Sequence, residues 1–246
     1  MPTTEAPSTE SPTSVSPTST SPTTEAPTTS TPTIICFHGD TQVELESGEL
    51  VAMNKLKLGS RVAVVDALGA KAFSTVYSFR TAFANNTSEQ MKISFGHAGG
   101  FIKLSKQHLL VVSDGALEPP RYANAVNVKP GMFLWRVTDA GSLPVQVTGA
   151  SRETMQGVYA PMTHEGTIVA NGIAASVYAI YDHGKAHALF GLLRLWRSFV
   201  PHARVGMTPL ENTIEPFAYL VTKAFKGTWV GNTFMAAVGC HECWKM

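Results

Sequence analysis

The sequence predicts an all-β domain with an internal repeat, followed by a helical C-terminal appendage. Three observations lead there. From Cys36 to about Ala179 the chain reads as short runs that alternate in polarity or are rich in β-branched residues, bounded by Gly, Asp, Asn and Pro. Two of these runs repeat each other. After residue 183 the hydrophobic period changes from that of strands to that of helices.

The first element is not part of that domain. Residues 1–35 contain almost no apolar residues and no aromatics, and "SPTTEAPT" echoes "PTTEAPS". Such a segment buries too little surface to offset its ordering entropy, so residues 1–35 are expected to be a disordered Ser/Thr/Pro-rich stalk or a plain linker. Tracts of this kind are typical of O-glycosylated stalks and point to a secretory or extracellular setting. Overlapping N-x-[ST] sequons at Asn85 and Asn86 point the same way. No signal peptide is visible after Met1, which fits a fragment of a longer secreted chain.

The expected strands follow in order: "TQVEL", "SRVAVVD", "STVYSF", "FIKLS" and "HLLVVS", with "DALG" and "TDAG" as hairpin turns. "LKLGSRVAVVDALG" (56–69) aligns without gaps onto "VKPGMFLWRVTDAG" (128–141). A Lys, a turn Gly, an apolar strand and a closing Gly recur in register, and each copy leads into another strand. Two copies predict a compact two-lobed β-domain, not a solenoid.

Two helical stretches are expected after the β-region. "AHALFGLLRLWRSFVP" (186–201) carries Leu189, Leu192, Leu193, Trp196, Phe199 and Val200 at helical spacing, and Phe217, Leu220, Val221 and Phe225 form a second stripe. Either both helices pack on the β-core, or they grip a lipid or lie on a membrane surface. The net charge of +1 gives no basic field for nucleic acid. No apolar run is long enough to span a bilayer as one helix.

The chemistry centres on Cys36, the first residue of the folded part. A thiol there lies within reach of the preceding carbonyl. Attack on Ile35 replaces the Ile35–Cys36 amide with a thioester, with the protein as its own substrate. The step needs a proton for the departing Cys36 nitrogen and stabilisation of the oxyanion. In "KLSKQHLL", Ser105 and His108 are spaced to face one carbonyl: Ser105 holding the scissile amide, His108 protonating the amine. The remaining cysteines, Cys240 and Cys243 in "CHEC", read as a non-catalytic tail, with half a metal site or a disulfide as the alternatives.

"CFHGDTQVELESGELVAMNKLKLGSRVAVVDALGAKAFSTVYSF" resembles the opening of the hedgehog autoprocessing domain, a member of the Hint family shared with inteins. "KLSKQHLLVV" resembles that family's T-x-x-H block, and "GVYAPMTHEGTIVANGIAASVYA" (157–179) its most specific block. The resemblance covers residues 36 to about 230. It implies a disc-like fold with pseudo-twofold symmetry over 36–182, and a sterol- or lipid-recognition region over 183–246 in which Leu192, Leu193, Trp196, Phe199, Phe217, Leu220 and Phe225 bind lipid. It implies Cys36 as nucleophile, Ser105 and His108 as promoters of an N-to-S acyl shift, and a sterol hydroxyl that resolves the thioester. The upstream polypeptide then leaves as a sterol ester.

Three positions depart from the family pattern. Thr81 stands where the family has the Asp assigned to activating the sterol hydroxyl, and Thr is no general base at neutral pH. Val177 replaces a cysteine, and Ile35 replaces the usual Gly. Water as acceptor is therefore an alternative to sterol, and a lipid-binding module that has lost catalysis is a second alternative. The resemblance implies no metal and no organic cofactor. The chain is expected to work as a monomer, in the endoplasmic reticulum and at the membrane or outside the cell.

Overall fold

A computed structural model describes residues 36–178 and 182–191, together with residues 1, 194, 195 and 198. Among these the chain is almost entirely β. In order come β1 (Gln42–Glu44), β2 (Leu50–Ala52), β3 (Arg61–Val65), β4 (Lys71–Phe95), β5 (Gly100–Ser105), β6 (Leu109–Ser113), β7 (Arg121–Asn124), β8 (Phe133–Thr138), β9 (Gly141–Thr163), β10 (Thr167–Ala170), β11 (Ile173–Ser176) and helix α1 (His183–Leu189). Strands β1 and β2 form a hairpin, and the rest form one antiparallel sheet in the order β10-β11-β6-β8-β9-β4-β3, with β5 beside β4 and β7 beside β6.

The predicted strands are all present, but two of them are far longer than their sequence signal. β4 and β9 pair along most of their length, from Val76–Thr163 to Phe95–Val147. Register shifts at Val76/Ser78, Phe79/Thr81, Phe83/Thr87 and Ser94/Phe95 bend the pair, so each strand serves two halves of the molecule. Both predicted hairpin turns form. At the first, Asp66 Oδ1 accepts from the Leu68 and Ala70 amides, and Gly69 takes a φ of 82°. At the second, Thr138 pairs with Gly141. Asn171-Gly172, with φ of 50° and 76°, closes β10 onto β11.

The repeat is written in the hydrogen bonds. Gly59 N donates to Val76 O, and Val76 N returns a bond to Ser60 O. Gly131 N donates to Val147 O, and Val147 N returns one to Met132 O. A short 3-10 turn precedes each glycine, Met53–Lys55 and Ala125–Asn127. The likeness also runs further upstream than the sequence shows. Met53 N donates to Thr41 O and Asn54 N to Gly39 O; in the second copy Ala125 N donates to His108 O and Val126 N to Lys106 O. The turn His38–Thr41 is thus the counterpart of Ser105–His108, and each is closed by its own bond, Thr41 N to His38 O and His108 N to Ser105 O.

One buried cluster forms the main core. Phe37, Met53, Tyr77, Ile93, Phe95, Ile102, Leu104, Leu110, Leu134, Met162 and Ile168 are all essentially inaccessible. Each side chain of this size contributes about 1.5–3 kcal/mol through burial.

The helix starts earlier than its apolar stripe predicts. Asp182 caps α1 by accepting from Lys185 N at 3.2 Å, so the helix begins at His183. Of the stalk 1–35, residues 2–35 lie outside the described residues, as do the second helical stripe with Phe217, Leu220 and Phe225, and Leu192, Leu193, Trp196 and Phe199.

Candidate active site

Residues 36–38 run as a short strand between β5 and β9. Phe37 exchanges both backbone bonds with Tyr159, at 2.8 and 3.1 Å, and His38 N donates to Lys103 O at 3.1 Å. Phe37 is completely buried and its ring lies 4.1 Å from that of His108. An aromatic residue directly after Cys36 therefore anchors the start of the fold and fixes where the thiol lies.

Cys36 is held from both sides by Ser105. Its N–H donates to Ser105 Oγ at 3.2 Å, and Ser105 N donates to Cys36 O at 2.8 Å. Both residues are buried, Cys36 fully. Burial pushes the Cys36 thiol up to about 12, against smaller opposing effects of the Ser88 hydroxyl and the Tyr159 backbone. The resting group is therefore a thiol, and thiolate exists only where a neighbour takes its proton.

His108 is buried beside it. Its Nε2 lies 2.8 Å from Ser176 O. A carbonyl only accepts, so Nε2 carries the proton and donates, which leaves Nδ1 with its lone pair. Nδ1 is buried with no hydrogen-bond partner among the described residues. Burial lowers the imidazole pKa to about 4, opposed by the Ser176 and Cys36 backbones. At neutral pH His108 is a neutral base, and once protonated it is a strong acid lying against the Cys36 backbone. That acidity suits a group that delivers a proton to the Cys36 nitrogen.

Three of the residues picked from sequence, Cys36, Ser105 and His108, therefore meet at one buried point. Ile35 lies outside the described residues. Thr81 sits on β4, where its backbone pairs with Ala160 at a register shift. Val177 is buried and donates its N–H to Gly166 O.

Sequence reasoning missed three neighbours of the site. Ser176 supplies the carbonyl that fixes the His108 tautomer, while its hydroxyl bonds His183 Nδ1 at 2.9 Å and accepts from Tyr178 N. The signal was present in "AASVYA" but reads there as a plain strand end. Ser88 lowers the Cys36 thiol pKa against the larger effect of burial, and Gln90 Nε2 donates to Ser88 Oγ; both lie in a polar stretch of β4 that carries no periodic signal. Among the described residues no cluster of three or more His, Cys, Asp or Glu could hold a metal.

The Hint module family matches residues 23–223. The Indian hedgehog protein of Xenopus laevis is 31% identical over 150 residues, 59% of this chain and 36% of that protein. The Sonic hedgehog protein of Danio rerio is 33% identical over 166 residues, 65% of this chain and 40% of that protein. The chain thus spans well under half the length of either relative. A crystal structure of a DnaB intein from Synechocystis sp. PCC 6803 is similar at a TM-score of 0.49 and 13% identity, over 58% of this chain and 97% of that one. The chain belongs to the Hint module family, the self-processing domain common to hedgehog proteins and inteins.

Proposed function

We propose that this chain is a single-turnover autoprocessing domain that cleaves itself between Ile35 and Cys36 and passes the upstream polypeptide to a sterol hydroxyl. The observation that carries the reading is the meeting of Cys36, Ser105 and His108 at the first residues of the fold. His108 Nδ1 takes the thiol proton. Cys36 Sγ bonds to the Ile35 carbonyl carbon, and the oxyanion collapses with loss of the amide bond. The proton passes from His108 to the Cys36 nitrogen, whose N–H is already oriented by Ser105 Oγ. Thiol, imidazole and hydroxyl account for every proton in this step, which needs no metal or organic cofactor.

In the second step a sterol or similar lipid alcohol attacks the thioester, and the polypeptide leaves as its ester. The apolar positions Leu192, Leu193, Trp196, Phe199, Phe217, Leu220 and Phe225 would hold the sterol, with the membrane surface as its source. Such a reaction belongs in the secretory pathway, where hedgehog-like chains meet lipid, and the domain acts as a monomer. Thr81 favours a second reading, in which water resolves the thioester, because Thr cannot take the acceptor's proton at neutral pH.

The mass of the released 1–35 fragment separates the two. After incubation with detergent-dispersed cholesterol, a fragment carrying the sterol mass supports transfer. A free carboxylate, at the same rate with and without sterol, refutes transfer and leaves autoproteolysis.

A further inference from the structure

Ser176, the last residue of β11, stands between two histidines. Its carbonyl oxygen lies 2.8 Å from His108 Nε2, and its hydroxyl lies 2.9 Å from Nδ1 of His183, the first residue of α1. The serine is completely buried, and its hydroxyl also accepts from the Tyr178 N–H at 2.9 Å. One residue thus joins the imidazole of the candidate site to the helix that follows the β-domain. That helix is seated closely. The Tyr178 hydroxyl bonds His187 Nδ1 at 3.1 Å and accepts from Arg194 at 3.1 Å. A Cβ added at Gly166 would collide with the His187 ring.

Counting hydrogens fixes the direction of the bond to His183. A buried hydroxyl that cannot place its own proton is costly. Among the described residues the acceptor for the Ser176 proton is His183 Nδ1. Nδ1 therefore presents a lone pair, and the neutral His183 ring carries its proton on Nε2. The ring is held in place by stacking on Tyr122 of β7, with centroids 4.3 Å apart and planes 10° apart. Burial lowers its pKa to about 4, with His187 and Arg194 acting the same way and Asp182 opposing, so the lone pair is present at neutral pH. Tyr122 and Tyr178 are the other titratable groups against it. The peptide that follows Ser176 is thus pinned on both sides. Val177 N donates to Gly166 O at 3.0 Å, and the Ser176 side chain is tied to Tyr178 N and to His183. If the Ser176 carbonyl turned away, the His108 Nε2–H would lose a buried acceptor, and the tautomer with its proton on Nδ1 would gain population.

We propose that His183 is a positioning residue for the thioester-forming step: through the Ser176 hydroxyl it holds the carbonyl that keeps the His108 proton on Nε2 and the Nδ1 lone pair free. This rests on the reading of His108 as the base that serves Cys36. His183 exchanges no proton with the reacting groups, so the balance of the step is unchanged. The Sγ–C bond to Ile35 forms, the Ile35–Cys36 C–N bond breaks, and the thiol proton ends on the Cys36 nitrogen. The consequence is a link between two parts of the chain. Seating of α1 on the β-domain sets the tautomer of the imidazole that starts cleavage.

The test takes two readouts on the whole chain. One is the rate of dithiothreitol-induced cleavage at pH 7. The other is the ring 15N NMR spectrum of the histidine-labelled Cys36→Ala chain, which reports the nitrogen that carries the His108 proton; His108→Gln assigns the signals by their loss. His183→Ala is expected to lower the rate about three- to tenfold and to move part of the His108 signal from the Nε2–H to the Nδ1–H tautomer. His183→Asn, whose Oδ1 replaces Nδ1 as acceptor, is expected to restore both. Ser176→Ala keeps the carbonyl and the helix but removes the link. It is expected to act as His183→Ala does, with no further loss when the two are combined, and it stands in if His183→Ala does not fold. Parental His108 signals in both alanine chains overturn the proposal, even where the rate falls, because the loss is then one of stability alone. A His183→Asn chain as slow as His183→Ala overturns it too, as do alanine effects that add. If the parent fails to cleave, or carries its His108 proton on Nδ1, the reading of His108 itself has failed, an outcome distinct from the failure of His183.

Discussion

Acidifying the protein should destabilise it through His108, and the size of the loss follows from its burial. The imidazole is held neutral in the fold, with a pKa near 4 instead of 6.5. Between those values the unfolded chain binds a proton that the folded chain refuses, so stability rises with pH across this window. The stabilisation is complete above about pH 6.5 and is lost as pH falls toward 4. A shift of this size corresponds to about 3 kcal/mol, a large share of the stability of a single domain. His183, whose burial also lowers its pKa to about 4, acts in the same direction, so the His108 part must be isolated. The assay is urea denaturation of the Cys36→Ala chain at intervals from pH 7 to 4, beside the same chain carrying His108→Gln. Gln offers a donor for Ser176 O but no titration. The parent should lose about 3 kcal/mol more than the His108→Gln chain over this range. Parallel curves would refute the assignment of His108 as a neutral buried base.

Three further outcomes are expected. Ser105→Ala removes the acceptor of the Cys36 N–H and should slow thiol-induced cleavage roughly 10- to 100-fold, while Ser105→Thr stays near the parent rate; equal rates for all three would show that the amide is not held there. Cys36, fully buried with its thiol pushed up to about 12, should react with iodoacetamide at pH 8 roughly a thousandfold more slowly than in urea, as followed by peptide mass. Gly59→Ala and Gly131→Ala, at φ of 84° and 93°, should each cost about 1–2 kcal/mol in denaturation because they occupy equivalent turns of the repeat; a loss at one position only would contradict that equivalence.

The repeat was legible at 56–69 and 128–141 because Lys, Gly and the apolar strand recur as residues. It was not legible between His38–Thr41 and Ser105–His108, because those turns share backbone bonds and no side chains. The length of β4 and β9 was hidden for a related reason. Their middle parts, such as "ANNTSEQ" and "SRETMQG", are polar and owe their strand conformation to pairing with each other, not to propensity. At the site, Cys36, Ser105 and His108 stood out because they have chemistry that a strand does not need. Ser176 did not, since its part is played by a carbonyl that every residue has. Gln90 did not, since its burial comes from strands distant in sequence.

The central claim is that the thiol of Cys36 displaces its own amide nitrogen. Intact mass spectrometry of the whole chain in dithiothreitol, without lipid, tests it most directly. The account predicts two fragments split between Ile35 and Cys36, the larger with a free N-terminal cysteine, and neither fragment from Cys36→Ala. A parent chain that stays whole at that bond, or a Cys36→Ala chain that splits there as fast, would contradict it.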